Sequence, residues 1–572
     1  MKILIEEYRY DASLVRRYLH DIDELDVVEG LVSVSYVGYF YNNSHDVNDC
    51  VFILPKVLID ENNKVFGKCT PEEIIDLEKT DKLTEEERKF IYEFAVWIYR
   101  AIAVFKNSQK DPSIVRQKQV VKVGKGKRRL SNTYLDILLS LIQFNKENQD
   151  FFMFILKNIH SGFNKINWSR TLSRSSVVVQ NDEPIYINPV NKKRQINFDE
   201  ELLVIYFSIL NYISNKFGFS VSINCNYDLI KGKRFEHYLE KFGLIRLRQI
   251  KYKYFSDKAL QLWELCYAFF EQSHQVRVSS SINEYLLVKN FNIVFEAIID
   301  ELVGDKQLPD DLNKKQEDGK IVDHLFMWNS LTTADSSKKV YYIGDSKYYK
   351  IGNNIEGKSV AKQYTYARNV IQWNLNLFLD NKEKSLSQDH YKLRDDVTEG
   401  YDIVPNFFIS AKIDEKLSYI DTIDKTDREK RQYFQRQFDN RLFDRDTLLI
   451  SHYDVNFLFV VSLYARNNMS KKQAWKTKVR NIFRDDIKKI LNEKYDFYAM
   501  KAKENKNGEE IIRKNFKDII GKVYTPFDDK QIYSLALDKQ FEEENKKVLN
   551  LLNSDFDIQK CEIGQNPSNI FN

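Results

Sequence analysis

The run Val340, Tyr341, Tyr342, Ile343, Gly344, Asp345, Ser346, Lys347 reads as a strand that ends in a carboxylate and an ammonium two positions apart. Successive strand side chains point to opposite faces, so Asp345 and Lys347 share a face and can reach one phosphate together. A second acid, Asp323, lies in the preceding apolar segment Ile321, Val322, Asp323, His324, Leu325, Phe326. Two carboxylates and one backbone carbonyl, here that of Ser346, form the hard-oxygen donor set that Mg²⁺ takes, with Mn²⁺ as a substitute. A cation so held lowers the pKa of a coordinated water and stabilises charge on phosphoryl oxygens, while Lys347 orients or activates the attacking water. Without a cation the two acids would repel by about 1 kcal/mol at 4 Å in bulk water, and by more where water is excluded. An Asp and a Lys at this spacing are also a common solvated ion pair, so the neighbouring elements must decide.

Upstream, Val294, Phe295, Glu296, Ala297, Ile298, Ile299 predicts a helix with one acid on an apolar stretch. Downstream, Lys358 to Phe378 predicts a second helix that opens with polar residues, including Gln363 and Tyr366. Helix with Glu, strand with Asp, strand with D-S-K and helix with Gln is an order that resembles the core of the PD-(D/E)XK nuclease superfamily. That resemblance implies a mixed sheet flanked by helices and one catalytic site of Glu296, Asp323, Asp345, Lys347 and Gln363, with Asp323 and Asp345 as the metal ligands. Two departures stand out. Relatives often carry a Tyr four residues after the Gln, where this chain has Ala367, with Tyr364 and Tyr366 nearest; and Asp323 follows Val322 rather than a Pro.

A rival motif overlaps the site. Gly352, Asn353, Asn354, Ile355, Glu356, Gly357, Lys358, Ser359 satisfies the phosphate-loop pattern G-x-x-x-x-G-K-[ST] of nucleotide-binding proteins. The helix start fits, but the lead-in Lys347, Tyr348, Tyr349, Lys350, Ile351 is too polar for a central parallel strand. Glu356 inside the cradle would oppose an anion, and the apolar run Phe457 to Leu463 leads into Tyr464 and Ala465 rather than an acid. A glycine-containing connector is the favoured reading, and no cofactor-binding residues are assigned there.

The length of 572 residues suggests roughly three or four domains. With 87 basic and 83 acidic residues the global charge of +4 does not announce a nucleic-acid binder. Local charge says more: from Lys106 to Arg129 stand nine basic residues and one acid, Asp111. The densest part, Lys122, Lys125, Lys127, Arg128 and Arg129, is a candidate nucleic-acid-binding loop in which each cation can displace a condensed counterion, positioning DNA without reading sequence. A solvated surface loop is the competing reading. Five cysteines, Cys50, Cys69, Cys225, Cys266 and Cys561, show no C-x-x-C spacing, which argues for a reducing, cytoplasmic setting and against a zinc site. No apolar run approaches the ~20 residues that span a bilayer, so no membrane partner is expected.

Along the chain, Leu31 to Phe40 and Cys50 to Pro55 read as strands, followed by two capped helices, one opening at Thr70, Pro71, Glu72, Glu73 and one at Thr84 with Glu87. Helical stripes are expected at Tyr134 to Phe144, Phe151 to Ile159, Glu201 to Phe217 and Lys258 to Gln272, with a hairpin at Val177 to Ile187. Asn406 to Ile409 and Phe457 to Tyr464 are expected to supply further strands, and the tail from Trp475 onward to be helical and loose after Ser554. The resulting expectation is a multidomain α+β / α/β chain: a strand-rich N-terminal interaction module with two helices and the basic loop (1–130), a mainly helical middle domain with a hairpin (131–285), a nuclease domain (286–470) and a helical C-terminal extension (471–572).

The element Ile166, Asn167, Trp168, Ser169, Arg170, Thr171, then a hairpin, a helical region and the C-terminal core, resembles the McrC-like nuclease subunits of restriction systems, most closely the LlaJI type. Trp168 and Arg170 read equally as a packing anchor and a surface charge. The resemblance implies a Mg²⁺-dependent endonuclease subunit acting on double-stranded DNA in antiviral defence, partnered by an AAA+ GTPase or ATPase motor that docks on the N-terminal module. Assembly into a homo-oligomer is left open. The rival functions are a phosphate-loop nucleotide-binding protein, a non-catalytic DNA-binding scaffold, and an exonuclease or repair nuclease of the same fold that acts on DNA ends without a motor.

Overall fold

The computed structural model describes the chain except residues 20–25, 44–47, 109–113, 119–132, 150–152, 160–165, 197–199, 218, 220, 224–226, 255–256, 279–283, 307–321, 335–338, 350–356, 380–393, 414–416, 426–432, 436–437, 467, 527–530, 567–568 and 572. It is a mixed α+β protein with several sheets. The described residues form two compact units, one of Met1–Leu54, Pro71–Val96 and Pro112–Lys289, the other of Pro55–Thr70, Trp97–Asp111 and Asn290–Asn572.

In the first unit a five-stranded sheet runs in the order Lys2–Ile5, Asn48–Leu54, Tyr36–Asn43, Glu284–Lys289, Val115–Lys118. Its core joins Leu4, Val32, Tyr36, Phe40, Val51, Ile53 and Leu287. The helix Tyr134–Glu147 is tied to this sheet by a buried carboxylate, Glu284, which accepts the Tyr134 N–H at 2.7 Å and so satisfies one orphan donor of the helix start. The expected hairpin pairs Val177–Gln180 with Glu183–Tyr186 around Asn181 and Asp182, both at positive φ, as a tight two-residue turn requires.

Three expectations for this part of the chain are corrected. The acids after Thr70 do not cap a helix: residues 71–80 are turns, because Ile75 gives its carbonyl to Ile3 N–H, Glu72 accepts from Tyr8 and Asp76 pairs with Lys2. The second capping box does form, Glu87 N–H donating to Thr84 Oγ1 and Thr84 N–H to Glu87 Oε2, and the helix Glu85–Ser108 follows. Met153–Ile159 is a strand, paired antiparallel with Asn191–Ile196, since sheet partners outweigh a short apolar period. Trp168 is no packing anchor; it opens the helix Trp168–Arg174, is 56% exposed and meets the Tyr186 ring edge-on at 6.2 Å.

The second unit carries the acid-bearing segments. The helix α1 (Phe291–Val303) is followed by strands β1 (His324–Asn329) and β2 (Lys339–Lys347), helix α2 (Gly357–Leu379), strand β3 (Pro405–Lys412), short strands β4 (Ile423–Lys425) and β5 (Tyr433–Gln435), and strand β6 (Leu448–Asn456). The sheet order is β1-β2-β3-β6-β4, with β5 also on β6; β1 is antiparallel to β2, while β2, β3 and β6 are mutually parallel. α2 supplies the long crossover that a parallel β2–β3 pair needs.

The apolar run after Asn456 is therefore not a strand. It is helix α3 (Phe457–Ala465), capped by the Asn456 side chain, which accepts from Leu458 and Phe459 N–H; β6 is the alternating segment just before it. Helix α4 (Met469–Lys494) covers the far face of the sheet, where Phe483 meets Phe407 and Tyr453 and the Arg480 guanidinium lies 4.3 Å from the Phe326 ring. Arg480 also donates twice to the Val303 carbonyl and Lys476 to that of Gly304, which closes the C-terminal end of α1. The tail is not all helical. Strands β7 (Tyr495–Ala502), β8 (Val523–Tyr524), β9 (Ile532–Asp538) and β10 (Phe556–Cys561) form an antiparallel sheet in the order β8-β9-β7-β10.

Gly344, one residue before the first acid of D-S-K, is opposite Phe407 on β3, and a Cβ there would lie 2.0 Å from the Phe407 ring. Gly344→Ala should therefore destabilise the protein by about 1–3 kcal/mol, seen as a lower urea midpoint at unchanged m. Gly357→Ala, where nothing lies within 4 Å, should cost nothing in the same assay.

Candidate functional site

β2 is buried from Val340 to Ser346, as a run of β-branched and aromatic residues in the middle of a sheet should be. Its end breaks that rule. Asp345 is only 7% exposed, and Lys347 Nζ lies 2.5 Å from its Oδ2. Asp323, in the bend that leads into β1, is brought to the same place and its side chain hydrogen-bonds with that of Asp345.

The electrostatics follow. Burial, then the charge and hydrogen bond of Asp345, then Glu296, push the Asp323 carboxyl up to about 9, against the opposing pull of Lys347. Asp323 thus keeps a proton at neutral pH and donates it to Asp345. Glu296 on α1 is also raised, by burial first and Asp345 second, with a hydrogen bond to Asn292 and the Lys347 charge acting the other way. Among the described residues no set of three or more His, Cys, Asp or Glu side chains is gathered to hold an ion. The donor set is the Asp323–Asp345 pair, and Glu296 is felt there through its charge.

Gln363 lies on α2 in the stripe Val360, Gln363, Tyr364, Ala367, spaced to face the sheet, and Val360 and Tyr364 pack with Phe408 and Ile450. It is fully buried, yet neither amide atom has a hydrogen-bond partner among the described residues. A buried amide left so costs about 1–3 kcal/mol, which suits a group supplied from outside the chain. Ala367, at the position where a Tyr is frequent in the family resembled, is wholly buried, and Tyr364 is half-buried against the same apolar layer. A proton-sharing acid pair, on the sheet face covered by the helix that carries an unsatisfied amide, fits a hard divalent cation, which would replace the shared proton.

The structure thus brings together Asp323, Asp345, Lys347 and, through its charge, Glu296, and places Gln363 on the helix over the same face. Lys122, Lys125, Lys127, Arg128 and Arg129 lie outside the described residues, as do residues 352–356 of the phosphate-loop pattern; Gly357, Lys358 and Ser359 open α2. Two polar residues of the same face escaped the sequence reading. Ser410 on β3 is the register partner of Lys347, and His452 on β6 is that of Phe408. Alternation within β3 and β6 puts them on the D-S-K face, but only the strand order reveals that these strands adjoin β2. No helix among the described residues is long and apolar enough to cross a membrane. No protein-family model, curated protein or solved structure matches the chain.

Because the Asp323 carboxyl is raised from 3.8 to about 9, the stability its proton contributes is complete below about pH 4 and is lost as pH rises towards 9. In EDTA the melting temperature should fall between pH 5 and 9, and Asp323→Asn should flatten that slope. Mg²⁺ should raise the wild-type melting temperature more at pH 8.5 than at pH 6, because binding must expel the proton, and should leave Asp323→Asn nearly unmoved.

Proposed function

We propose that the chain is a metal-dependent endonuclease subunit that hydrolyses phosphodiester bonds of double-stranded DNA. The observation that carries this is the buried, hydrogen-bonded Asp323–Asp345 pair with Lys347 at its edge: three ionisable groups gathered at the end of β2 where apolar residues would be more stable. The sequence order of helix acid, strand acid, D-S-K strand and glutamine helix supports a PD-(D/E)XK type of core, and the parallel β2–α2–β3 crossover fits it.

Asp323 and Asp345 would hold Mg²⁺, which when bound offsets their repulsion and supplies positive charge to the phosphate oxygens. Lys347, anchored on Asp345, presents its ammonium to the attacking water or to a non-bridging oxygen of the scissile phosphate. Glu296, whose carboxylate burial and the Asp345 charge make more basic, would in its ionised form take up the proton that water loses. Gln363 offers its amide to water or to the DNA backbone. The water oxygen forms the new P–O bond as the P–O bond to the ester oxygen breaks, and that oxygen takes a proton from solvent water while Glu296 returns the one it accepted to solvent. The McrC-like order of segments adds an AAA+ nucleotide-hydrolysing partner and a role in restriction of foreign DNA, with the N-terminal module (1–130) as the docking element.

Supercoiled DNA incubated with Mg²⁺ and the full chain, with and without a motor partner, tests the reading. Lys347→Ala and Asp345→Asn should each lower cleavage by about 100-fold or more while duplex binding in Ca²⁺ stays within about threefold. A Lys347→Ala protein as active as wild type would refute the assignment.

A further inference from the structure

Open α/β sheets bind ligands beyond the carboxyl ends of parallel strands, and here β2, β3 and β6 end together. Their register sets Asp345, Phe408 and His452 in one row and Lys347, Ser410 and Asp454 in the next. All six side chains stand on the face covered by α2. The Lys347 ammonium lies 5.4 Å from the Phe408 ring, and that ring meets His452 edge-on at 6.2 Å, so the acid site and the histidine flank one aromatic.

His452 is 3% exposed, and its Nε2 lies 2.7 Å from Ser410 Oγ and 3.8 Å from Asp454 Oδ1. A carboxylate on that side favours the tautomer with hydrogen on Nε2, so the imidazole N–H donates to Ser410 Oγ. The serine hydroxyl hydrogen is then free to point away from the ring. Ser410 is partly exposed and sits one strand from Lys347. The bond is not needed to join the two strands, because β3 and β6 are already paired from Pro405–Leu449 to Lys412–Asn456.

We propose that Ser410, oriented by His452, is a further phosphate-contacting residue: its hydroxyl donates to a non-bridging oxygen of the nucleic-acid phosphate beside Lys347. Ser410 touches substrate, and His452 is a positioning residue. The inference rests on the nuclease reading and extends that site by one strand.

The test is steady-state cleavage of a duplex by the full chain in Mg²⁺, with a motor partner if one is required. Ser410→Ala and His452→Leu should each raise KM about tenfold with kcat within about threefold, and the double variant should be no worse than either alone. Ser410→Thr, which keeps the hydroxyl, and His452→Gln, which keeps an N–H near the Nε2 position, should return KM to within about threefold of wild type. Should His452→Leu fail to fold, Ser410→Ala and Ser410→Thr decide alone. Wild-type KM in Ser410→Ala, or equal loss in Ser410→Ala and Ser410→Thr, overturns the inference while leaving the nuclease reading intact. A wild-type chain that neither binds nor cleaves DNA removes both, and is distinguished by its failure before any Ser410 variant is compared.

Discussion

Two carboxyl groups hydrogen-bonded to each other out of water cannot both be charged, and this constraint shapes the acid end of β2. The second unit meets it with a retained proton on Asp323, with the Lys347 ammonium against Asp345, and with a raised Glu296 close by. Each device is a weaker solution than an apolar residue would be. Their coexistence in one place leaves the pair short of positive charge, which the proposed divalent ion would supply to both acids at once.

The sheet gives this cluster its rigidity. Antiparallel β1 brings the bend holding Asp323 alongside Gly344, and parallel β3 and β6 lie on the other side of β2, so the acids are fixed from both edges by ladder hydrogen bonds. The contact of Gly344 with the Phe407 ring sets how closely β2 and β3 pack just before Asp345. On the far face the Phe326, Phe407, Tyr453 and Phe483 rings fill the space to α4, whose Arg480 and Lys476 also satisfy the last carbonyls of α1. Through that joint the helix bearing Glu296 is anchored to the same layer as the strands bearing the aspartates.

Local chemistry was readable where it was decided locally. The D-S-K alternation, the helices around Glu296 and Gln363, the Thr84–Glu87 box and the Asn181–Asp182 turn all follow from neighbours within a few residues. The errors arose where distant partners decide. The Thr70 box lost Glu72 to Tyr8 and Glu73 to Lys82, Met153–Ile159 found a strand partner, and Phe457 to Tyr464 became a helix because Asn456 caps it at the end of β6. Ser410 and His452 were invisible for the same reason: nothing in the sequence states which strands lie beside β2.

The unit that carries the acids is not contiguous in the chain, for it includes Pro55–Thr70 and Trp97–Asp111 as well as everything from Asn290 onward. On the ribosome those two early segments must wait for the rest of their own unit to be made. At about 5–20 residues per second that wait lasts tens of seconds, during which their apolar side chains, among them Val57, Leu58, Ile98 and Ile102, have no completed core to enter. A fragment beginning at Asn290 would lack those side chains permanently, so the acid-bearing region is expected to be a poor candidate for excision as a free-standing domain.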